Sequence, residues 1–133
     1  GEEGIMFASG MGAILTAIFA MMKQGDHAVF QSDLYGGTFD AIAKEFPRYG
    51  MTYTLVDGGN PSAFEKAITK ETKVFYIETP SNPTLKITDI RAVADIAKKH
   101  GIITIIDNTF ASPVNQNPIT LGIDIVTHSG TKY

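Results

Sequence analysis

Apolar and polar positions alternate along this chain in blocks of helical and strand length. Residues 11–24 read as a mostly apolar helix stopped by Gly25, and residues 28–30 as a short strand. Residues 38–46 are helical up to Pro47, and residues 52–56 form a strand that leads into the turn Asp57-Gly58-Gly59-Asn60-Pro61. A helix is predicted over 62–68, where Ser62 and Glu65 have capping-box spacing. Residues 74–77 are a wholly apolar strand, and Pro80 and Pro83 forbid a helix through 79–83.

The pattern is sharpest over 89–99, where Ile90, Val93, Ala94 and Ala97 recur at i, i+3, i+4 and i+7. Lys98, Lys99 and His100 suit the negative end of that helix dipole, and Gly101 ends it. Strands are predicted at 102–106 and 123–127. Continuous apolar strands separated by helices imply an α/β fold, a mostly parallel sheet with helices on both faces. In such sheets ligands bind beyond the carboxyl ends of the strands. That rule gathers three polar segments, 78–82, 107–109 and 129–132, on one edge. No repeat, low-complexity tract or linker interrupts the pattern.

Composition narrows the reading. A chain of 133 residues fits one core. It opens on Gly1-Glu2-Glu3-Gly4 without a methionine and closes at Tyr133, so it is expected to be part of a larger protein. A net charge of −3 gives no footprint for nucleic acid, and no basic run suits an anionic membrane. Cysteine is absent, which removes disulfides, thiol catalysis and cysteine–metal sites. The longest apolar run, 11–22, is too short to cross a bilayer and lacks the flanks of a signal peptide. The expected location is the cytoplasm.

Several residues carry candidate chemistry, each with a plainer alternative. Ser9-Gly10-Met11-Gly12 precedes the first helix, and is either a phosphate cradle or a simple N-cap. It is not a dinucleotide fingerprint, because Leu15 stands where the third glycine belongs; a nicotinamide-dependent oxidoreductase is therefore the weaker reading. Asp107, after an apolar strand, pairs with a protonated ring nitrogen or caps a turn. Lys132 forms a Schiff base or is a solvated charge. Tyr35, before Gly36-Gly37, stacks on a flat ring or packs over a glycine turn. Asn82 and Asn108 donate to a ligand or stabilise turns. His27, His100 and His128 have no ligand-like spacing, so no metal site is expected.

Five linked stretches resemble the transsulfuration, or Cys/Met-metabolism, family of pyridoxal phosphate enzymes. They are Ala8-Ser9-Gly10-Met11, Leu34-Tyr35-Gly36-Gly37-Thr38, Glu78-Thr79-Pro80-Ser81-Asn82-Pro83, Asp107-Asn108-Thr109-Phe110 and His128-Ser129-Gly130-Thr131-Lys132-Tyr133. The resemblance implies a fold-type I large domain of the aspartate aminotransferase kind, with pyridoxal 5'-phosphate as cofactor. It implies that Lys132 is the Schiff-base lysine, that Asp107 pairs with the pyridine nitrogen and that Tyr35 stacks on the ring. Gly10 and Met11 amides, with the Ser129 and Thr131 hydroxyls, would hold the phosphate. Asn82 would lie near the ring hydroxyl and substrate carboxylate, Thr109 close to the ring, and Glu78 behind them.

The activity implied is elimination or replacement at the β or γ carbon of a small amino-acid substrate such as cystathionine, methionine or an O-acylhomoserine. The parent enzyme would be a homodimer or homotetramer, its site built across a subunit interface. The family's N-terminal arm, the rest of its large domain and its C-terminal domain have no counterpart in residues 1–133, so the chain alone is expected to be a catalytically incomplete folding unit. Methionine γ-lyases often carry cysteine where Gly37 stands. Gly37 therefore points toward the cystathionine γ-synthase, cystathionine γ-lyase or acylhomoserine sulfhydrylase types.

Overall fold

A computed structural model describes residues 1–132; Tyr133, the last residue of the closing motif, lies outside the described residues. Five strands form one wholly parallel sheet: β1 His27–Gln31, β2 Thr52–Val56, β3 Thr72–Glu78, β4 Ile103–Asp107 and β5 Ile125–Thr127. Their order across the sheet is β2-β1-β3-β4-β5. The helices are α1 Gly10–Met21, α2 Gly36–Arg48, α3 Pro61–Lys66, α4 Ile90–His100 and a single turn, α5 Ser112–Asn115, followed by a 3-10 turn, Pro118–Leu121.

Side chains alternate along each strand, and each face receives its own helices. On one face Ile14 and Ile18 of α1 and Ile42 and Phe46 of α2 pack against Ala28, Phe30, Val74, Tyr76 and Ile105. On the other, Phe64 of α3 and Val93 and Ala97 of α4 pack against Val29, Phe75, Ile77 and Ile106. Burying each such Ile or Phe contributes roughly 1.5–3 kcal/mol. The two-sided burial explains why β1 and β3 read as unbroken apolar runs.

Local chemistry sets the ends of the elements. Asp89 caps α4 by accepting the Ala92 N–H at 3.0 Å, and Gly101 closes it in the left-handed conformation at φ 65°. The helix predicted at 62–68 starts instead at Pro61, where the fixed φ and missing N–H of proline suit the first position. Ser62 does not cap it; its hydroxyl donates to Asn60 Oδ1 at 2.8 Å. Helix α2 runs through Pro47 to Arg48, where the missing proline N–H forfeits one bond of the last turn, and Gly50, at φ 66°, completes the stop. Strand β5 begins later than predicted. Asp124 Oδ2 accepts from the Thr104 N–H and hydroxyl, so a side chain takes the place of the first ladder bond.

The strand order places a switch point between β1 and β3. From β1 the chain crosses to β2 on one side, whereas β3 leads to β4 on the other. Loops leaving such neighbours diverge and open a crevice at the carboxyl edge. The β1–β3 register ends with Phe30 opposite Tyr76. Gln31 extends it with its side chain: Oε1 accepts the Glu78 N–H at 2.9 Å and Nε2 donates to the Glu78 carbonyl at 2.6 Å.

Candidate active site

The crevice holds a cavity of about 520 Å³ lined by nine of the residues singled out from the sequence: Gly10, Met11, Tyr35, Asn82, Asp107, Thr109, Ser129, Thr131 and Lys132. They come from five separate segments. The fold brings them together because each follows a strand or opens α1.

One end of the cavity suits an anion. Ser9 caps α1, accepting the Gly12 N–H at 3.0 Å through its hydroxyl and the Ala13 N–H at 3.1 Å through its carbonyl. The N-cap reading of this segment thus applies, and it leaves the first two amides of the helix available. Capping uses the third and fourth amides, and the Gly10 and Met11 N–H groups take no acceptor among the described residues. Unpaired amides at a helix start favour negative charge. Opposite them, the Ser129 and Thr131 hydroxyls lie 3.2 Å apart. Gly10 is held so close to Ser129 that a Cβ would stand 2.8 Å from Ser129 Cβ.

The other end is acidic. Asp107, 7% exposed, closes β4. Its Oδ1 accepts from the Thr109 N–H at 2.9 Å and the Thr109 hydroxyl at 2.6 Å, which fixes the carboxylate plane. Its Oδ2 makes no hydrogen bond among the described residues, leaving one oxygen for a cationic donor in the cavity. Thr109 Oγ1 in turn accepts the Ser129 N–H at 2.8 Å, linking the acidic end to the anion end. Lys132 lines the cavity and is otherwise exposed.

Glu78 is the residue sequence reasoning undervalued. Only 4% exposed, it stands beside Asp107 in the β3–β4 register. Its Oε2 accepts the Tyr35 N–H at 2.9 Å and its Oε1 the Asn82 N–H at 3.1 Å. Burial raises its pKa to about 7, with the nearby Asp107 carboxylate adding to the rise and the two backbone N–H groups opposing it. Two residues back on the same face, the Tyr76 phenol is fully buried and has no hydrogen-bond partner among the described residues. Burial, then Asp107 and Glu78, hold it well above the usual phenol range; Thr38 acts the other way without reaching hydrogen-bond geometry.

Asn108 does not face the cavity. Buried beneath it, its side chain donates to the Gln116 carbonyl at 3.0 Å and accepts from Gln116 Nε2 at 2.7 Å, so the turn-stabilising reading applies. His27 sits at the opposite edge of the sheet between the Thr72 and Thr54 hydroxyls, and burial lowers its pKa. His100 approaches Glu65 on the surface. Among the described residues no group of side chains could hold a metal ion, and no helix is long and apolar enough to cross a membrane.

Known proteins carry the same pattern. A family model for Cys/Met metabolism PLP-dependent enzymes matches residues 1–133. Over 133 residues the chain is 53% identical to a cystathionine gamma-lyase and 49% identical to the cystathionine beta-lyase MetC, both of Bacillus subtilis, covering all of this chain and 35% and 34% of those proteins. The crystal structure of metB from Corynebacterium glutamicum superposes with a TM-score of 0.93 at 44% identity, over 96% of this chain and 33% of that one. The chain thus spans about a third of the length of the relatives it matches. With a parallel α/β sheet and its cavity at the carboxyl edge, the chain belongs to the Cys/Met metabolism family of pyridoxal phosphate-dependent enzymes.

Proposed function

We propose that the protein carrying this chain eliminates or replaces a sulfur or oxygen substituent at the β or γ carbon of an amino acid, using pyridoxal phosphate bound in this cavity. The observation that carries the reading is the meeting, in one cavity, of unpaired amides at Gly10 and Met11, a carboxylate oxygen left free on Asp107, and the Lys132 amine. These residues suit the group. Its phosphate needs an anion cradle, its ring nitrogen an acid, and its aldehyde an amine. When bound, it supplies an electron sink that stabilises negative charge at the substrate α-carbon.

The protein's own part is binding, orientation and proton handling. Gly10 and Met11 amides, with the Ser129 and Thr131 hydroxyls, hold the phosphate against the α1 dipole. Asp107, its plane fixed by Thr109, keeps the ring nitrogen protonated. Tyr35 would cover one ring face, and Asn82 would serve the ring hydroxyl. Lys132, whose amine lines the cavity, would serve as the general acid–base that moves protons between the α and β carbons of the substrate. Residues 1–133 contribute part of the large domain of a homodimer or homotetramer. Choice of substrate and of β or γ chemistry is assigned to the whole protein; the relatives, which include both a gamma-lyase and a beta-lyase, span both classes.

Borohydride treatment of the full-length protein after incubation with pyridoxal phosphate tests this. The expected result is a visible absorption band that reduction abolishes and a mass increment on the peptide containing Lys132. A protein that gains no band and keeps Lys132 unmodified sinks the proposal.

A further inference from the structure

Where β1 and β3 part at the switch point, no backbone ladder ties the two loops that flank the cavity. Side chains do so instead, in three tiers. At the base, Gln31 pairs with both polar groups of the Glu78 peptide. At the rim, Lys86 beyond β3 bonds Asp33 beyond β1 at 2.8 Å. Between them stands Glu78, with one carboxylate oxygen on the Tyr35 N–H and the other on the Asn82 N–H. Only this middle tier grips the two residues that face the cavity from opposite loops.

The carboxylate is suited to that task. It is the shortest side chain end that offers two acceptors and no donor, so it receives two amides that point inward from different loops. Glutamine offers one acceptor and would turn its amide hydrogens toward one of those N–H groups. The position also has a cost. Glu78 stands beside Asp107 in the register, with the unpartnered Tyr76 phenol behind them, so two carboxyl groups share a poorly solvated edge of the sheet. An apolar residue would pack there without that penalty. It would also release both loops.

We propose that Glu78 is a positioning residue: its carboxylate bridges the Tyr35 and Asn82 loops across the switch point and thereby fixes the Tyr35 ring and the Asn82 side chain on a flat ligand ring held at Asp107. The ligand half rests on the pyridoxal phosphate reading; the bridge itself does not. Glu78 lines the cavity, but both its oxygens are taken up by backbone N–H groups. It acts through the two backbone amides it holds.

The test uses the full-length protein with Glu78→Gln, Tyr35→Ala and the double variant. In ligand-free protein above about pH 8, where Glu78 is ionised, Glu78→Gln should speed hydrogen exchange at the Tyr35 or Asn82 amide at least about tenfold, leaving the β4 amides unchanged. With pyridoxal phosphate, visible circular dichroism of the bound cofactor should fall to about half or less and Kd rise about tenfold. In the Tyr35→Ala background the same substitution should change the dichroism far less, since the ring it positions is gone. Unchanged exchange at both amides overturns the bridge. Unchanged dichroism and Kd, or equal effects with and without Tyr35, overturn the positioning role. Wild-type protein that binds no pyridoxal phosphate, with the exchange effect still caused by Glu78→Gln, removes the cofactor reading and leaves the bridge standing.

Discussion

Glu78 and Asp107 stand side by side as the last residues of β3 and β4, paired in the parallel register and both buried. Two carboxyl groups so placed differ in their partners. Asp107 is braced by Thr109 and turns a free oxygen to the cavity, while Glu78 spends both oxygens on backbone amides.

That pairing makes stability depend on pH with a definite sign. Folded Glu78 keeps its proton up to about 7, against an ordinary 4.5, through burial first and then Asp107. The folded chain thus binds more protons between those values. The stabilisation is complete below pH 4.5 and lost as pH rises through about 7, an effect of roughly 3 kcal/mol at most. His27 acts oppositely: burial lowers its pKa from 6.5, so its share is present above 6.5 and lost as pH falls. Melting temperature against pH for ligand-free protein, wild type minus Glu78→Gln, isolates Glu78. The difference should move in favour of the variant from pH 4.5 to 8. A flat difference contradicts the assignment.

Gly10→Ala should damage anion binding more than folding. The new Cβ meets Ser129 Cβ at 2.8 Å, Oγ at 3.0 Å and the backbone Cα at 3.2 Å, and a backbone atom cannot swing aside. Overpacking of this kind costs about 1–3 kcal/mol. Separating α1 from Ser129 also opens the cradle, so pyridoxal phosphate Kd should rise at least about tenfold. Fluorescence titration measures it; an unaltered Kd would falsify the cradle.

Much of this was legible before the structure. Apolar runs located four of the five strands, β2 with its threonines being the exception, and the helix at 90–100 announced itself through spacing, cap and charged last turn. The strand-end rule then placed three polar segments on one edge. Residue reading alone left Ser9, Asp107 and Asn108 ambiguous, because capping and ligand binding use the same residue types. Geometry separates them: Ser9 caps while leaving two amides free, Asp107 faces the cavity, and Asn108 is enclosed by Gln116. Residues 112–115 and 118–121 were not foreseen as helical turns. Pro113 and Pro118 signal breaks, and single turns have no periodicity to read.

Gly37 leaves room for the Tyr35 ring. A Cβ there would stand 2.6 Å from Tyr35 Cε1 and 3.4 Å from Met11 Sδ. Tyr35 is 46% exposed, so its ring can move where a backbone could not. Gly37→Ala or Gly37→Cys should therefore leave stability within about 1 kcal/mol, helped by better helix propensity. The ring should rotate out of its present place over the cavity, and kcat should fall about tenfold through lost ring orientation. A crystal structure of either variant with the ring unmoved defeats the prediction.

Gln31→Met should be among the costliest single changes outside the cavity. Gln31 is 1% exposed and its amide acts as one more peptide in the β1–β3 ladder, serving the Glu78 N–H and carbonyl. It also receives the Thr88 hydroxyl at 3.2 Å and donates to the Asp33 carbonyl at 2.7 Å. Methionine keeps the volume and abandons these groups in a buried setting. At about 1–3 kcal/mol for each unsatisfied group, partly relieved by water at the rim, the expected loss is roughly 2–4 kcal/mol by denaturant unfolding. Gln31→Glu separates ladder from packing. It keeps the shape and the acceptor for the Glu78 N–H, but removes the donor and sets a second carboxylate beside Glu78, so it should be at least as damaging as methionine. If Gln31→Met stays within about 0.5 kcal/mol of wild type, the side-chain ladder contributes nothing and the switch point is held by the Glu78 bridge and the Asp33–Lys86 rim instead.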